Sequence, residues 1–335
     1  MEPNIVVPQG DLGGIAPEVL LHSLARKELR QSCRPIIVGH HRALTNVASS
    51  MDIDIELVSV AQASEGFAMP VDGPVPVLEL EAAVPNDPPG RASAAFGMAS
   101  VEAVLRGASL CLEGTAHAMA TPPIHKESVH LAGYPFEGQT QMLGEACRSR
   151  RYGMLACGGS LRVLVATRHM ALREALQKLD PQFVAKQIRL AHEAARNTLG
   201  IAEPRIALAG LNPHAGEGGA FGDEETRILQ PAIEMAKEQW GFETCGPEVP
   251  DVVFSQGTRG EWDIIVALYH DQAFLPLKML PRETAYTVFV GGDVRRTSPM
   301  HGAAYDIART GKADPEPFAF ALERAIELGA RHQPA

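Results

Sequence analysis

Several absences narrow the reading of this chain before any motif does. Its five cysteines, Cys33, Cys111, Cys147, Cys157 and Cys245, are odd in number, scattered, and without a C-x-x-C pair. That spacing excludes a disulfide framework, and the cysteines read as reduced, mostly buried thiols. No stretch of 18 consecutive apolar residues occurs, so no membrane span is expected. Ile5-Val6-Val7 stops at Pro8 and lacks a basic flank, too short for the apolar region of a signal peptide, and the expected location is the cytoplasm. There is no Lys/Arg-rich run, and 30 basic against 40 acidic residues leave a net charge of −10. Such a chain repels polyanions on average, so neither nucleic acid nor anionic lipid is an expected partner, and a small-molecule ligand is.

The usual catalytic fingerprints are missing too. No G-x-G-x-x-G follows the first apolar run, since Gly10, Gly13 and Gly14 have the wrong spacing, and Gly216, Gly218 and Gly222 give only a near miss. There is no Walker loop and no G-x-S-x-G elbow. His192 begins a zincin-like string, but Arg196 stands where the second histidine must be, so His192 is expected on a helix surface.

What is present is a chain of 335 residues, 45% apolar and 21% charged, enough for two lobes with a sizeable core. Short β-branched runs alternate with longer helical patterns, which predicts an α/β fold. Strands are expected at 5–7, 35–39, 206–211, 263–269 and 286–290. Helices are expected from Pro17 to about Arg30, near 92–112, over 181–199 closed by Gly200, and over 315–330. The runs 152–157 and 161–167 flank Gly158-Gly159-Ser160, a turn suited to an antiparallel hairpin, so the sheet should be mixed.

Three of the twelve histidines share one context. His169, His214 and His270 each come at, or within three residues of, the carboxyl end of an apolar run, where ligands bind in open α/β sheets. Three neutral imidazoles suit zinc or a similar divalent ion with one position left open for substrate. The plain alternative is three polar residues at loop starts. Asp271 follows His270 and Asp251 precedes Val252-Val253-Phe254; either could orient an imidazole or simply cap a turn. Lys278, Arg295 and Arg296-Thr297-Ser298 form a cationic group in an acidic chain, a candidate cradle for phosphate or carboxylate, with solvated surface charge as the alternative, above all for Arg295.

The strings Gly210-Leu-Asn-Pro-His-Ala-Gly-Glu-Gly-Gly219, Tyr269-His-Asp-Gln272, Thr121-Pro-Pro-Ile-His-Lys126 and Arg296-Thr-Ser with His301-Gly302 resemble the PdxA family, the 4-hydroxythreonine-4-phosphate dehydrogenases of pyridoxal phosphate biosynthesis. The resemblance runs from Gly10 to Asp314. It implies a two-lobed fold like that of isocitrate and isopropylmalate dehydrogenases, with mixed sheets and an interlobe cleft. Lobe 1 is expected at about 1–128 plus 302–335 and lobe 2 at about 129–301. It also implies a homodimer with shared active sites and NAD or NADP bound without the Rossmann motif, through residues the sequence does not single out.

By the same resemblance the metal ligands are His169, His214 and His270, for zinc or alternatively Mg, Mn or Co, with Asp251 and Asp271 in support. Substrate contacts fall on Thr140, Lys278 and Arg296. Two contacts depart from the family pattern, Gln139 standing for histidine and Thr287 for asparagine, and the usual Gly-x-Pro before His125 is altered. Lys126 is a candidate general base. The expected activity is metal-dependent oxidation of a secondary hydroxyl of an anionic hydroxy acid, 4-hydroxythreonine 4-phosphate first, with decarboxylation to follow. Alternatives are a paralogue acting on four-carbon sugar-acid phosphates or a carboxylated cis-dihydrodiol, a three-histidine zinc hydrolase, and a metal-containing binding protein without turnover.

Overall fold

Ile5, Val6 and Val7 are fully buried in the first strand, on both of its faces, as an inner parallel strand covered by helices requires. The computed structural model describes residues 2–331. In chain order the strands are β1 (Asn4–Pro8), β2 (Arg34–Gly39), β3 (Leu57–Val60), β4 (Val75–Glu79), β5 (Ala118–Ala120), β6 (Gly153–Gly158), β7 (Leu161–Val165), β8 (Ile206–Ala209), β9 (Cys245–Glu248), β10 (Ile264–Ala267), β11 (Ala285–Val290) and β12 (Arg296–Pro299). The chain divides into two units, Met1–Arg150 with Gly292–Ala335, and Arg151–Gly291.

In the first unit the order is β3-β4-β2-β1-β5-β12, with every pairing parallel. The helix Ala16–Ala25 carries Pro17 in its first turn, as expected, but ends at Arg26, which is extended and turns its guanidinium to Glu316. A second short helix, Lys27–Gln31, completes the stretch predicted as one. The helix Ala94–Leu112 is apolar enough over 18 residues to pass for a membrane span, yet it carries Glu102 and Arg106 and its apolar face is buried in this unit's core. It also explains why the expected lobe boundaries, 128/129 and 301/302, differ from the observed division after Arg150 and Gly291. At Gly97 this helix meets the helix Lys126–Leu131 so closely that an added Cβ would lie 1.9 Å from the Ser128 carbonyl oxygen. That contact, the packing of the helix Gln139–Ala146 on the same helix, and the β5–β12 ladder keep 129–150 and 292–301 in the first unit.

In the second unit the order is β11-β6-β7-β10-β8-β9. β6 pairs antiparallel with β11 and β7, whereas β7-β10-β8-β9 are parallel. The sheet is therefore mixed, and the predicted hairpin is present with Gly159 at φ +54° in its two-residue turn. Asp180 caps the helix Pro181–Glu193 through Phe183 N, 2.7 Å. His192 on this helix is buried, not on the surface as the sequence suggested. It shares one face with Val184 and Ile188, stacks on Phe242 with ring centroids 4.5 Å apart, and lies 3.2 Å from Thr244 Oγ1. A histidine continued the apolar stripe because its ring packs as an aromatic face. All five thiols are free, but only Cys33 and Cys157 are buried; Cys245 is exposed.

Candidate active site

β7, β10 and β8 lie side by side and run in the same direction, so residues just beyond their carboxyl ends emerge together. His169, His270 and His214 leave from those three ends. The His169 and His270 rings are 5.2 Å apart, at a pocket of about 300 Å³ lined by Arg168, His169, Met170, Tyr269, His270 and Asp271 among others. Asp271 Oδ1 lies 2.7 Å from His270 Nδ1. In the neutral ring that contact favours the proton on Nδ1, the tautomer whose Nε2 lone pair is available to a ligand. Phe274, one turn along the helix His270–Lys278, stacks on the His270 ring with centroids 4.4 Å apart. Asp251, by contrast, is exposed in the first turn of the helix Pro250–Thr258, where its charge complements the helix end.

His214 stands apart from the pair. Its Nδ1 is 3.4 Å from Glu217 Oε2 and its ring meets the edge of Phe221. Among the described residues no three His, Cys, Asp or Glu side chains come close enough to hold an ion. The structure thus brings two of the three expected ligands together and holds the third on a neighbouring loop. That loop is strained: His214, Ala215 and Glu217 have φ of 54°, 51° and 41°, left-handed values that cost non-glycine residues on the order of 1 kcal/mol each. Glu225 anchors its start by accepting from Leu211 N, Asn212 N and Asn212 Nδ2 at 2.7–2.9 Å. Burial alone would raise the Glu225 pKa, but these hydrogen bonds outweigh it and hold the carboxyl below its ordinary range. Two neighbouring imidazoles, one beside a carboxylate, are a donor set whose chemistry fits a borderline-soft divalent ion.

Gln272 is a residue to which the sequence assigned no role. Buried, it accepts from Leu268 N through Oε1 and donates through Nε2 to Gly210 O, both at 2.7 Å. It thereby ties the end of β10, which delivers His270, to the end of β8, which delivers His214. Lys278 is exposed at the last position of the helix that His270 begins, roughly 12 Å further along its axis at 1.5 Å per residue. Thr287 is buried on β11 opposite Ala156.

The remaining expected residues lie in the first unit. Arg296 opens β12 and is 4% exposed. It donates from Nε to Thr121 Oγ1 and from an Nη to Gln139 Oε1, both at 2.7 Å. Burial pulls its pKa down to about 9, which leaves it charged at neutral pH. Among the described residues no carboxylate pairs with it. Gln139 and Thr140 begin the helix Gln139–Ala146, and Lys126 is exposed at the first position of its helix. Arg295 is half-buried rather than fully solvated.

A polar network near Lys126 went unread in the sequence. Asp11 accepts from Tyr305 Oη at 2.8 Å and from Gly13 N at 2.7 Å. Ser128 Oγ lies 2.7 Å from the same Tyr305 oxygen, and His125 stacks on the Tyr305 ring at 4.2 Å. Desolvation raises the pKa of both Asp11 and Tyr305. Asp11 follows Gly10, where the family resemblance begins, His125 lies in the string from Thr121 to Lys126, and Tyr305 comes shortly after His301-Gly302, so the sequence marked the places without their contacts.

Comparison with known proteins covers both units. The family model described as pyridoxal phosphate biosynthetic protein PdxA matches residues 31–325. A 4-hydroxythreonine-4-phosphate dehydrogenase of Beijerinckia indica is 37% identical over 328 residues, 98% of this chain and 96% of that one. A D-threonate 4-phosphate dehydrogenase of Salmonella typhimurium is also 37% identical, over 97% of this chain and 98% of the relative. The crystal structure of a 4-hydroxythreonine-4-phosphate dehydrogenase from Klebsiella pneumoniae matches with TM-score 0.89 and 36% identity, covering 98% of each chain. A match of this length takes in the histidine-bearing strand ends and the buried Arg296 alike, and by it the chain belongs to the PdxA family.

Proposed function

We propose that the chain is a metal-dependent, NAD(P)-linked dehydrogenase that oxidises a secondary hydroxyl of a four-carbon hydroxy acid 4-phosphate. The observation that carries this reading is the His169–His270 pair, 5.2 Å apart and with Asp271 on His270, at the carboxyl ends of adjacent parallel strands. The relatives' names support the substrate class. 4-Hydroxythreonine 4-phosphate and D-threonate 4-phosphate share a carboxylate, a hydroxyl beside an amino or second hydroxyl group, and a terminal phosphate.

In this reading His169, His270 and His214 hold a divalent metal, zinc or alternatively Mg, Mn or Co. When bound, such an ion supplies a Lewis acid that lowers the pKa of a coordinated hydroxyl. The chain's own residues do the rest. Asp271 keeps His270 in the ligating tautomer, and Arg296 receives the anionic end of the substrate, with Thr140, Lys278 and Thr287 as further contacts. Hydride leaves the carbinol carbon for the nicotinamide, and the hydroxyl proton goes to a base. Lys126, next to His125 and its Tyr305 network, is the candidate acceptor. With 4-hydroxythreonine 4-phosphate the product is a β-keto acid, which then loses carbon dioxide. From the family resemblance we also propose a homodimer in which both copies serve each site. Five free thiols fit a cytoplasmic enzyme.

The test is nicotinamide reduction by the purified protein with NAD+ or NADP+ and a panel of 4-hydroxythreonine 4-phosphate, threonate and erythronate phosphates, and a carboxylated cis-dihydrodiol. Reduction with a phosphorylated four-carbon acid is expected. Hydrolysis without reduction would replace this reading with that of a zinc hydrolase. His214→Ala should lose bound metal while keeping its fold; unchanged metal content would sink the ligand assignment.

A further inference from the structure

Among the described residues the Arg296 guanidinium is gripped along one edge. Its Nε and one Nη N–H, which lie side by side on the planar group, go to Thr121 Oγ1 and Gln139 Oε1. Both acceptors are neutral, and both are held in turn. Gln139 Nε2 donates to Pro122 O at 2.8 Å, and Thr121 Oγ1 donates to Thr297 O at 3.4 Å. Register closes the arrangement: Arg296 pairs with Met119 and Thr297 with Ala120, so Thr121 and Pro122 follow directly beyond the β5 end beside β12. Thr121 is fully buried and Gln139 is 7% exposed. Neutral acceptors order the guanidinium without cancelling its charge, whereas a carboxylate in either place would form a closed ion pair.

We propose that Gln139 and Thr121 are positioning residues that clamp Arg296 by its Nε–Nη edge, so that the other fork, the two Nη groups, takes one oxyanion of the substrate bidentately. Gln139 then serves the arginine instead of contacting substrate itself, as the sequence had suggested. A two-pronged donor matches two oxygens of a carboxylate or of a phosphate equally well. The proposal rests on the reading of Arg296 as the receptor for the substrate's anionic end, and its test separates the two.

Gln139→Leu, Gln139→Glu, Thr121→Val, Thr121→Ser and Arg296→Met would be made in the full chain, with circular dichroism to check folding. The Kd for inorganic phosphate and for acetate would be measured by calorimetry, which needs no turnover, and KM and kcat with 4-hydroxythreonine 4-phosphate and NAD+. A lost hydrogen bond to a charged group should weaken anion binding and raise KM about 10- to 100-fold in Gln139→Leu and Thr121→Val, with kcat changed less than about threefold. Thr121→Ser, which keeps the hydroxyl, should stay near wild type. Gln139→Glu should bind anions more weakly than Gln139→Leu, because its carboxylate neutralises the guanidinium. A change confined to phosphate or to acetate identifies the oxyanion received, and either supports the clamp. Folded Gln139→Leu and Thr121→Val proteins within twofold of wild type, beside a defective Arg296→Met, would overturn the clamp and leave the anion receptor standing. An unaffected Arg296→Met would overturn both. Where Gln139→Leu does not fold, the contrast between Thr121→Val and Thr121→Ser decides.

Discussion

Replacing Gln272 by leucine tests whether the two strand ends that deliver His214 and His270 are held as one piece. The substitution nearly conserves volume and removes both functions of the buried amide. Leu268 N loses its acceptor and Gly210 O its donor, each now at 2.7 Å. A buried backbone group left without a partner costs about 1–3 kcal/mol, so two such groups give roughly 2–4 kcal/mol after partial entry of water. Urea denaturation followed by circular dichroism should show a lower midpoint with an unchanged m-value. Gln272→Glu can still accept from Leu268 N but cannot donate to Gly210 O, and should fall between the two. Zinc affinity of the folded variant, measured by competition with a chelator, should drop with the loss of the tie, because His270 and His214 leave from the strands it joins. A Gln272→Leu protein within 0.5 kcal/mol of wild type and with unaltered zinc affinity would refute the reasoning.

Other consequences are open to measurement. Gly97→Ala places a methyl 1.9 Å from the Ser128 carbonyl oxygen, backbone that cannot rotate away, and should cost about 2–4 kcal/mol in urea unfolding by forcing two helices apart; a cost under 0.5 kcal/mol would mean the helices shift freely. Asp271→Asn removes the carboxylate 2.7 Å from His270 Nδ1 and should weaken zinc affinity about 10- to 100-fold, a shift readable without turnover. Burial pulls the His192 pKa from 6.5 down to about 4. Above 6.5 the ring is neutral folded and unfolded alike; between 6.5 and 4 only the unfolded chain takes up the proton, so stability falls as pH falls through that window. The loss from this group should be on the order of 2 kcal/mol by pH 4. His192→Phe should flatten that part of the stability–pH curve, and an unchanged curve would rule out His192 as its source.

Much of the local structure was legible because it depends on neighbours along the chain. Val184, Ile188 and His192 illustrate the limit of that legibility. The apolar period marks the helix, yet a periodicity argument treats histidine as polar, and only the stack on Phe242 makes it a core residue. Pro17 announced a helix start correctly, whereas the helix ends early at an extended Arg26, whose guanidinium meets Glu316 some 290 residues away. The lobe boundaries shifted for the same reason: Gly97 looks like any helix glycine until Ser128 is seen against it.

The sequence by itself determined the α/β class, several of the inner strands and longer helices, the antiparallel hairpin that makes the second unit's strands mixed, the family, and which side chains are chemically fit for the work: three histidines after apolar runs, and a cationic group in an acidic chain. Tertiary structure decided which of those meet. It set His169 against His270 and turned His214 to Glu217, because β7, β10 and β8 are neighbours in space while a strained loop sets where His214 points. It gave Gln139 to Arg296 across 157 positions of chain, and Gln272 to Gly210 across 62. Residue type and local period are encoded position by position, but hydrogen bonds between distant segments form only when the sheet's register brings their backbones side by side.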